Sequence, residues 1–230
     1  RMKQGRLVAA EAILISGLSG DGGIVRHMPL RNSYSTLLYE QGRYIDATNM
    51  GKLSLLLINE SCVPDVSSHR AMARNNLARA FMATGRWQDA RLQFDKIKQD
   101  LKTNKPLYEN LYAGSADHAL SLLQSGESAS ALPVLKIRAE RLERLLGPKH
   151  YDTAQTKAFL AVANFKLGNL EESLELFIEN IPLIIQRSRQ SEAHSEGTQS
   201  ITFRKRIILE NYIELLANLR GSTIEKAFGI

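Results

Sequence analysis

The chain has 230 residues, with 30 Lys and Arg against 24 Asp and Glu and five His, giving a formal net charge of +6. The charges are interleaved, as on solvated helix faces, and no long basic run with an aromatic platform is present, so nucleic acid is not an expected partner. One cysteine, Cys62, excludes an internal disulfide framework and suits a reducing, cytoplasmic setting, and no 18-residue apolar run is available to cross a membrane.

In chain order, Gly5 to Leu18 reads as the second helix of a hairpin whose first helix is missing. Together with the opening Arg1, this suggests a fragment that starts in mid-hairpin. Gly17 to Gly23 reads as a flexible connection; it lacks the Lys-Ser or Lys-Thr that a phosphate-cradling loop needs. Leu30 to Gln41 and Tyr44 to Ile58 are expected to pair as the first complete hairpin, followed by a connection containing Pro64. The second hairpin runs from Ser67 or Ser68 to Thr84 and from Trp87 to Leu101. In it Leu77, Ala78 and Phe81 share one face, and Trp87, Ala90, Phe94 and Ile97 share another. Small Ala78 and Ala90 would let the two backbones approach closely.

A third hairpin is predicted from Leu107 to Ser125 and Ala129 to Leu146, with Pro133 tolerated in the first turns of its second helix. A fourth runs from His150 to Leu167 and from Leu170 to about Arg187. Residues 188–200 are polar and read as a linker, and 201–230 as a terminal helix leading towards a domain outside the chain, with Gly221 stopping that helix.

The turns repeat. Gly42-Arg43-Tyr44-Ile45-Asp46-Ala47 matches Gly85-Arg86-Trp87-Gln88-Asp89-Ala90, and Gly126 and Gly168 open two further copies, at separations of 43, 41 and 42 residues. Such a period means stacked helical hairpins, and each glycine sits where the first helix must end in a left-handed residue. The expected fold class is all-α, a right-handed superhelical solenoid of antiparallel helix hairpins, with the repeat array over residues 1–187.

Leu77-Ala78, Phe81, Gly85, Trp87, Ala90 and Phe94 resemble the tetratricopeptide repeat (TPR) pattern. The longer period is similar to the repeats of kinesin light chains and of bacterial proteins carrying a caspase-like CHAT domain. Leu146-Gly147-Pro148-Lys149-His150-Tyr151-Asp152-Thr153-Ala154 resembles the "LGPxHPxT" segment of those repeats, with Tyr151 in place of proline. Residues 206–222 resemble the helix that leads towards a CHAT domain. The resemblance implies a protein-interaction scaffold, a protein or peptide partner, and a fused C-terminal CHAT peptidase whose His and Cys would lie outside this chain.

The residues themselves offer no catalytic constellation. The histidines His27, His69, His118, His150 and His194 are scattered, no metal-ligand spacing is present, and no cofactor motif occurs. His118 reads as a packed residue and Cys62 as structural. Binding is therefore expected in a concave groove lined by the first helices, where Asn32, Thr36, Tyr39, Met72, Asn75, Arg79, Met82, Leu123, Phe165 and Lys166 are the candidates. Asn and Arg can hold a peptide backbone, while Tyr39, Met82, Leu123 and Phe165 can grip apolar side chains. The competing expectation is a spacer or self-association module with no ligand of its own.

Overall fold

The computed structural model describes residues 2–20, 23–61, 66–193 and 199–228. Among them every regular element is helical: α1 (Met2–Ser19), α2 (Gly23–Glu40), α3 (Tyr44–Glu60), α4 (Ser67–Ala83), α5 (Trp87–Asp100), α6 (Lys105–Tyr108), a π turn (Glu109–Ala113), α7 (Ala116–Gln124), α8 (Ser128–Leu146), α9 (Tyr151–Lys166), α10 (Leu170–Ala193) and α11 (Gln199–Phe228). Two compact units are formed, Arg1–Ser125 and Gly126–Ile230.

The repeated glycines do what their spacing predicts. Gly42, Gly85, Gly126 and Gly168 have φ of 79°, 74°, 83° and 84°. After α4 the Gly85 amide donates to the Met82 carbonyl (3.1 Å) and the Arg86 amide to Phe81 (2.9 Å). This pair of bonds satisfies carbonyls that the helix end would otherwise orphan, and only a left-handed residue lets the chain make both. The turns after α2 and α9 repeat it, with Arg43 donating to Leu38 (2.9 Å) and Asn169 to Asn164 (2.9 Å).

In the first unit, α2 pairs with α3 and α4 with α5. Leu77, Ala78, Phe81, Met82, Ala90, Phe94, Ile97 and Leu101 form one core, and Trp87 packs against it. Ala78 and Ala90 are fully buried, which is the close backbone approach expected of them. Two polar clamps hold neighbouring helices. Asp100 pairs with Arg74 (2.6 Å) and Arg70 (3.4 Å), tying α5 to α4. Glu11 on α1 accepts from Gln41 (2.8 Å), Arg43 (2.6 Å) and Tyr34 (3.1 Å) at the first hairpin. The Gln41 and Arg43 donors hold its carboxyl below the usual carboxylate range.

Three expectations need correction. Gly17 and Leu18 are not a flexible connection but the last turns of α1, and α2 begins at Gly23 rather than Leu30. A β-carbon on Gly17 would lie 3.1 Å from Leu30 Cδ1, so this glycine lets α1 approach α2. The helix expected from Leu107 to Ser125 is broken into α6, the π turn and α7. The Gly114 amide donates to Glu109 (2.8 Å), the wider bond of a π turn, and the extended Ser115 caps α7 by accepting from the His118 amide (3.3 Å). His118 also bonds the Tyr112 carbonyl through Nδ1 (2.9 Å), stacks on the Tyr112 ring at 4.2 Å and is itself buried. Finally, Gly221 does not end α11, which runs to Phe228. An interior glycine costs a helix about 1 kcal/mol and does not forbid it.

In the second unit, α9 packs against α8, α10 and α11. His150 caps it by accepting from the Asp152 amide (3.2 Å). Lys157 reaches Glu143 on α8 (3.3 Å) and Glu179 on α10 (3.8 Å). Tyr212 of α11 meets Phe177 of α10, ring centroids 5.1 Å apart, and Ile208 and Leu215 are fully buried. Within the stretch expected to be a linker, α10 continues to Ala193 and α11 starts at Gln199. The rest of that stretch with His194, and Cys62 with Pro64, lie outside the described residues.

Candidate functional site: the groove between α2 and α4

Adjacent first helices α2 and α4 run side by side, and the groove between them has a volume of about 450 Å³. Asn32 and Thr36 line it from α2, and Met72 and Asn75 from α4, as the helical offsets from the core face predict. Pro29 and His69 lie towards the helix N-termini, and Asn76 joins the wall. Sequence reasoning missed Pro29 and Ser33 on α2 and His69 and Asn76 on α4. The signal for the α4 pair is the spacing His69, Met72, Asn76, which puts all three on one stripe of that helix.

The wall is built by amides. The Asn76 side chain donates to the Asn32 main-chain carbonyl (2.9 Å) and accepts from Thr36 Oγ1 (3.3 Å), so both halves of this amide are used to join α4 to α2. Asn32 Nδ2 donates to the His69 carbonyl (3.3 Å). Asn32 is only 7% exposed, yet its Oδ1 is buried without a hydrogen-bond partner. Met72, 42% exposed, supplies an apolar surface next to these amides.

Three of the expected groove residues are core instead. Tyr39 is buried, with its ring 5.5 Å from Tyr44 and the Arg79 guanidinium 4.3 Å above it. Met82 is buried in the α4–α5 core, and Leu123 is buried on α7. Each has an apolar side chain that gains more from leaving water than from lining an open surface. Arg79 is not a free groove cation: it pairs with Glu40 (3.2 Å) and Asp117 (3.8 Å), linking α4 to α2 and α7. Phe165 and Lys166 lie in the last turn of α9 in the second unit, the first half-buried and the second exposed.

Among the described residues no group of three or more His, Cys, Asp or Glu could hold a metal ion, and no helix is long and apolar enough to cross a membrane. The strongly buried imidazole of His118 is committed to the Tyr112 carbonyl, and burial lowers its pKa.

Comparison with known proteins supports the repeat reading. The model of the tetratricopeptide repeat family matches residues 70–99, the α4–α5 hairpin. The fold is similar to that of the nearly identical TPR-like repeats of a Podosopora anserina protein described as a kinesin light chain, at 15% identity and a TM-score of 0.56, covering 83% of this chain and 88% of that one. It is also similar to BtubC (BKLC) from P. vanneervenii, at 13% identity and a TM-score of 0.58, covering 95% of this chain and 92% of that one. No curated protein matches the sequence. At these identities the likeness is one of fold, an all-helical TPR-like repeat structure.

Proposed function

We propose that this chain is a protein-interaction scaffold that holds a protein or peptide in the groove between α2 and α4. The observation that carries the reading is the open groove itself, lined by exposed Met72 together with neutral amide and hydroxyl side chains. TPR-like folds present such grooves to partners, which supports the assignment. The test compares two surface variants that should both fold. Met72→Glu changes the groove, while Leu92→Glu changes an exposed position on α5. A partner captured by the parent chain should be lost by the first and kept by the second. Equal retention by both would sink the groove assignment.

The wider setting we infer is a regulatory arm joined to a CHAT (caspase-like) peptidase in a bacterial cytoplasmic protein, the catalysis residing in that domain. Residues 206–222 and the Leu146–Ala154 segment support this reading by resemblance. Ligand in the groove would favour one curvature of the array and so bias the peptidase between states. A polypeptide carrying both parts should change its peptidase rate on ligand binding, and the Met72→Glu variant should abolish that response.

A second reading, self-association, draws on α1, where Val8 is 65% and Ile13 71% exposed. A concentration-dependent mass that Ile13→Glu abolishes would support it.

A further inference from the structure

We propose that residues 105–113, the short α6 and the π turn, form a strap that lifts off the α4–α5 hairpin when His118 takes up a proton, while the hairpin beneath stays folded.

The strap is the least anchored part of this region. Neither α6 nor the π turn contains a buried residue. Leu107, Tyr108, Leu111 and Tyr112 rest half-buried on the core of α4 and α5. At its start, the Asn104 side chain donates to Ser68 Oγ on α4 (3.2 Å). The chain on either side is held more firmly, since Leu101 before the strap and Ala119 after it are fully buried. A segment with few buried contacts between two fixed ends opens at lower cost than the core it covers.

His118 fastens the strap from within. Its ring lies between Phe94 of α5, at 5.1 Å, and Tyr112 of the strap, stacked at 4.2 Å. A carbonyl can only accept, so the Nδ1–H donates to the Tyr112 carbonyl (2.9 Å), and in the neutral ring Nε2 carries no proton. A second proton therefore places a full charge on a side chain that is 3% exposed. The charged groups of α5 that act on it are Asp95, which favours the imidazolium, and Arg91 and Lys98, which oppose it. The strap's own charges, Lys105 and Glu109, are exposed and pair with each other (4.0 Å). Asp117, next to His118 on α7, faces Arg79 (3.8 Å). The buried imidazolium thus gains too little from its neighbours to replace its lost hydration. Lifting Tyr112 uncovers one face of the ring to water. Exposing the other face would mean moving Phe94, which is fully buried in the α4–α5 core. The strap is the part that yields.

Hydrogen exchange of the full chain, read by mass spectrometry and corrected for the intrinsic effect of pH, tests this. Between the ordinary imidazole value, about 6.5, and the lower value of the closed state, the open fraction should rise about tenfold per pH unit as the solution is acidified. Peptides covering 105–113 should lose protection accordingly, while those covering 90–98 of α5 keep theirs. His118→Gln can still donate to the Tyr112 carbonyl and does not titrate, so its strap should exchange at a rate independent of pH. In the parent chain, NMR gives a second readout that needs no variant: the His118 ring and the Tyr112 amide should titrate with one midpoint. Strap protection that does not change with pH, or that falls together with that of α5, would overturn the proposal. So would a His118→Gln strap that still opens with acid, or a Tyr112 amide that does not follow the His118 ring.

Discussion

The Gly51 backbone on α3 lies directly against Leu77 on α4: a β-carbon at position 51 would sit 3.2 Å from Leu77 Cβ and 3.5 Å from its Cα. The contact joins one hairpin to the next, so it sets how closely α3 and α4 approach. Gly51 is buried, and the obstacle is the base of the Leu77 side chain rather than its flexible end. Gly51→Val should destabilise the first unit by about 1–3 kcal/mol through overpacking. Gly51→Ala should fall near neutral, because its helix-propensity gain of about 1 kcal/mol offsets a small shift. Urea unfolding midpoints of the two variants check both signs.

At Gly85 the constraint is conformational. Its φ is +74°, and a β-carbon there would meet no heavy atom within 4 Å, so space is not limiting. Gly85→Ala should cost about 1–2 kcal/mol from the left-handed conformation alone. Gly85→Asn should cost less, since Asn enters that region more readily. Equal losses for Ala and Asn in thermal unfolding would mean that the turn, not the glycine, adapts.

These glycines mark how far the sequence could be read. The period placed Gly42, Gly85 and Gly168 at the turns of the α2–α3, α4–α5 and α9–α10 hairpins, because a left-handed helix end has few alternatives to glycine. Gly51 was opaque, since a close contact between distant segments leaves no local signature. The break at Gly114 was hidden for a related reason. It depends on the imidazole of His118 reaching back to Tyr112, and no periodicity records that bond. In the groove, Asn32, Thr36, Met72 and Asn75 followed from helical spacing. Tyr39 and Met82 share that spacing, but the packing of neighbouring helices covers them.

His118 makes stability depend on pH. Burial lowers its pKa, outweighing the hydrogen bond to Tyr112, which raises it. Asp95 opposes the shift, while Arg91 and Lys98 reinforce it. The unfolded chain therefore takes the proton first. The stabilisation is fully present above the ordinary imidazole value, about 6.5, and is lost as the pH falls from there towards the lowered folded value. Urea midpoints should drop on acidification through this window. His118→Gln, which keeps a donor for Tyr112 without titrating, should flatten that part of the profile. An unchanged slope would assign the acid sensitivity to other groups.

The placement of Arg79 separates binding from stability. Its guanidinium sits above the Tyr39 ring and pairs with Glu40 and Asp117, joining three helices of the first unit. Its side chain is 18% exposed and those of its two acids 28% and 17%, so the pairs are only partly screened. Removing the cation takes the guanidinium away from Glu40 and Asp117 and uncovers Tyr39. Arg79→Leu should thus cost about 1–3 kcal/mol, the range for hydrogen bonds to charged groups. Asn75→Ala, one helical turn earlier in the groove wall, should leave the unfolding midpoint nearly unchanged and weaken ligand binding. Measured side by side, unfolding and peptide affinity should respond to different members of this helix face; a fully folded Arg79→Leu that loses only ligand would return Arg79 to the binding surface.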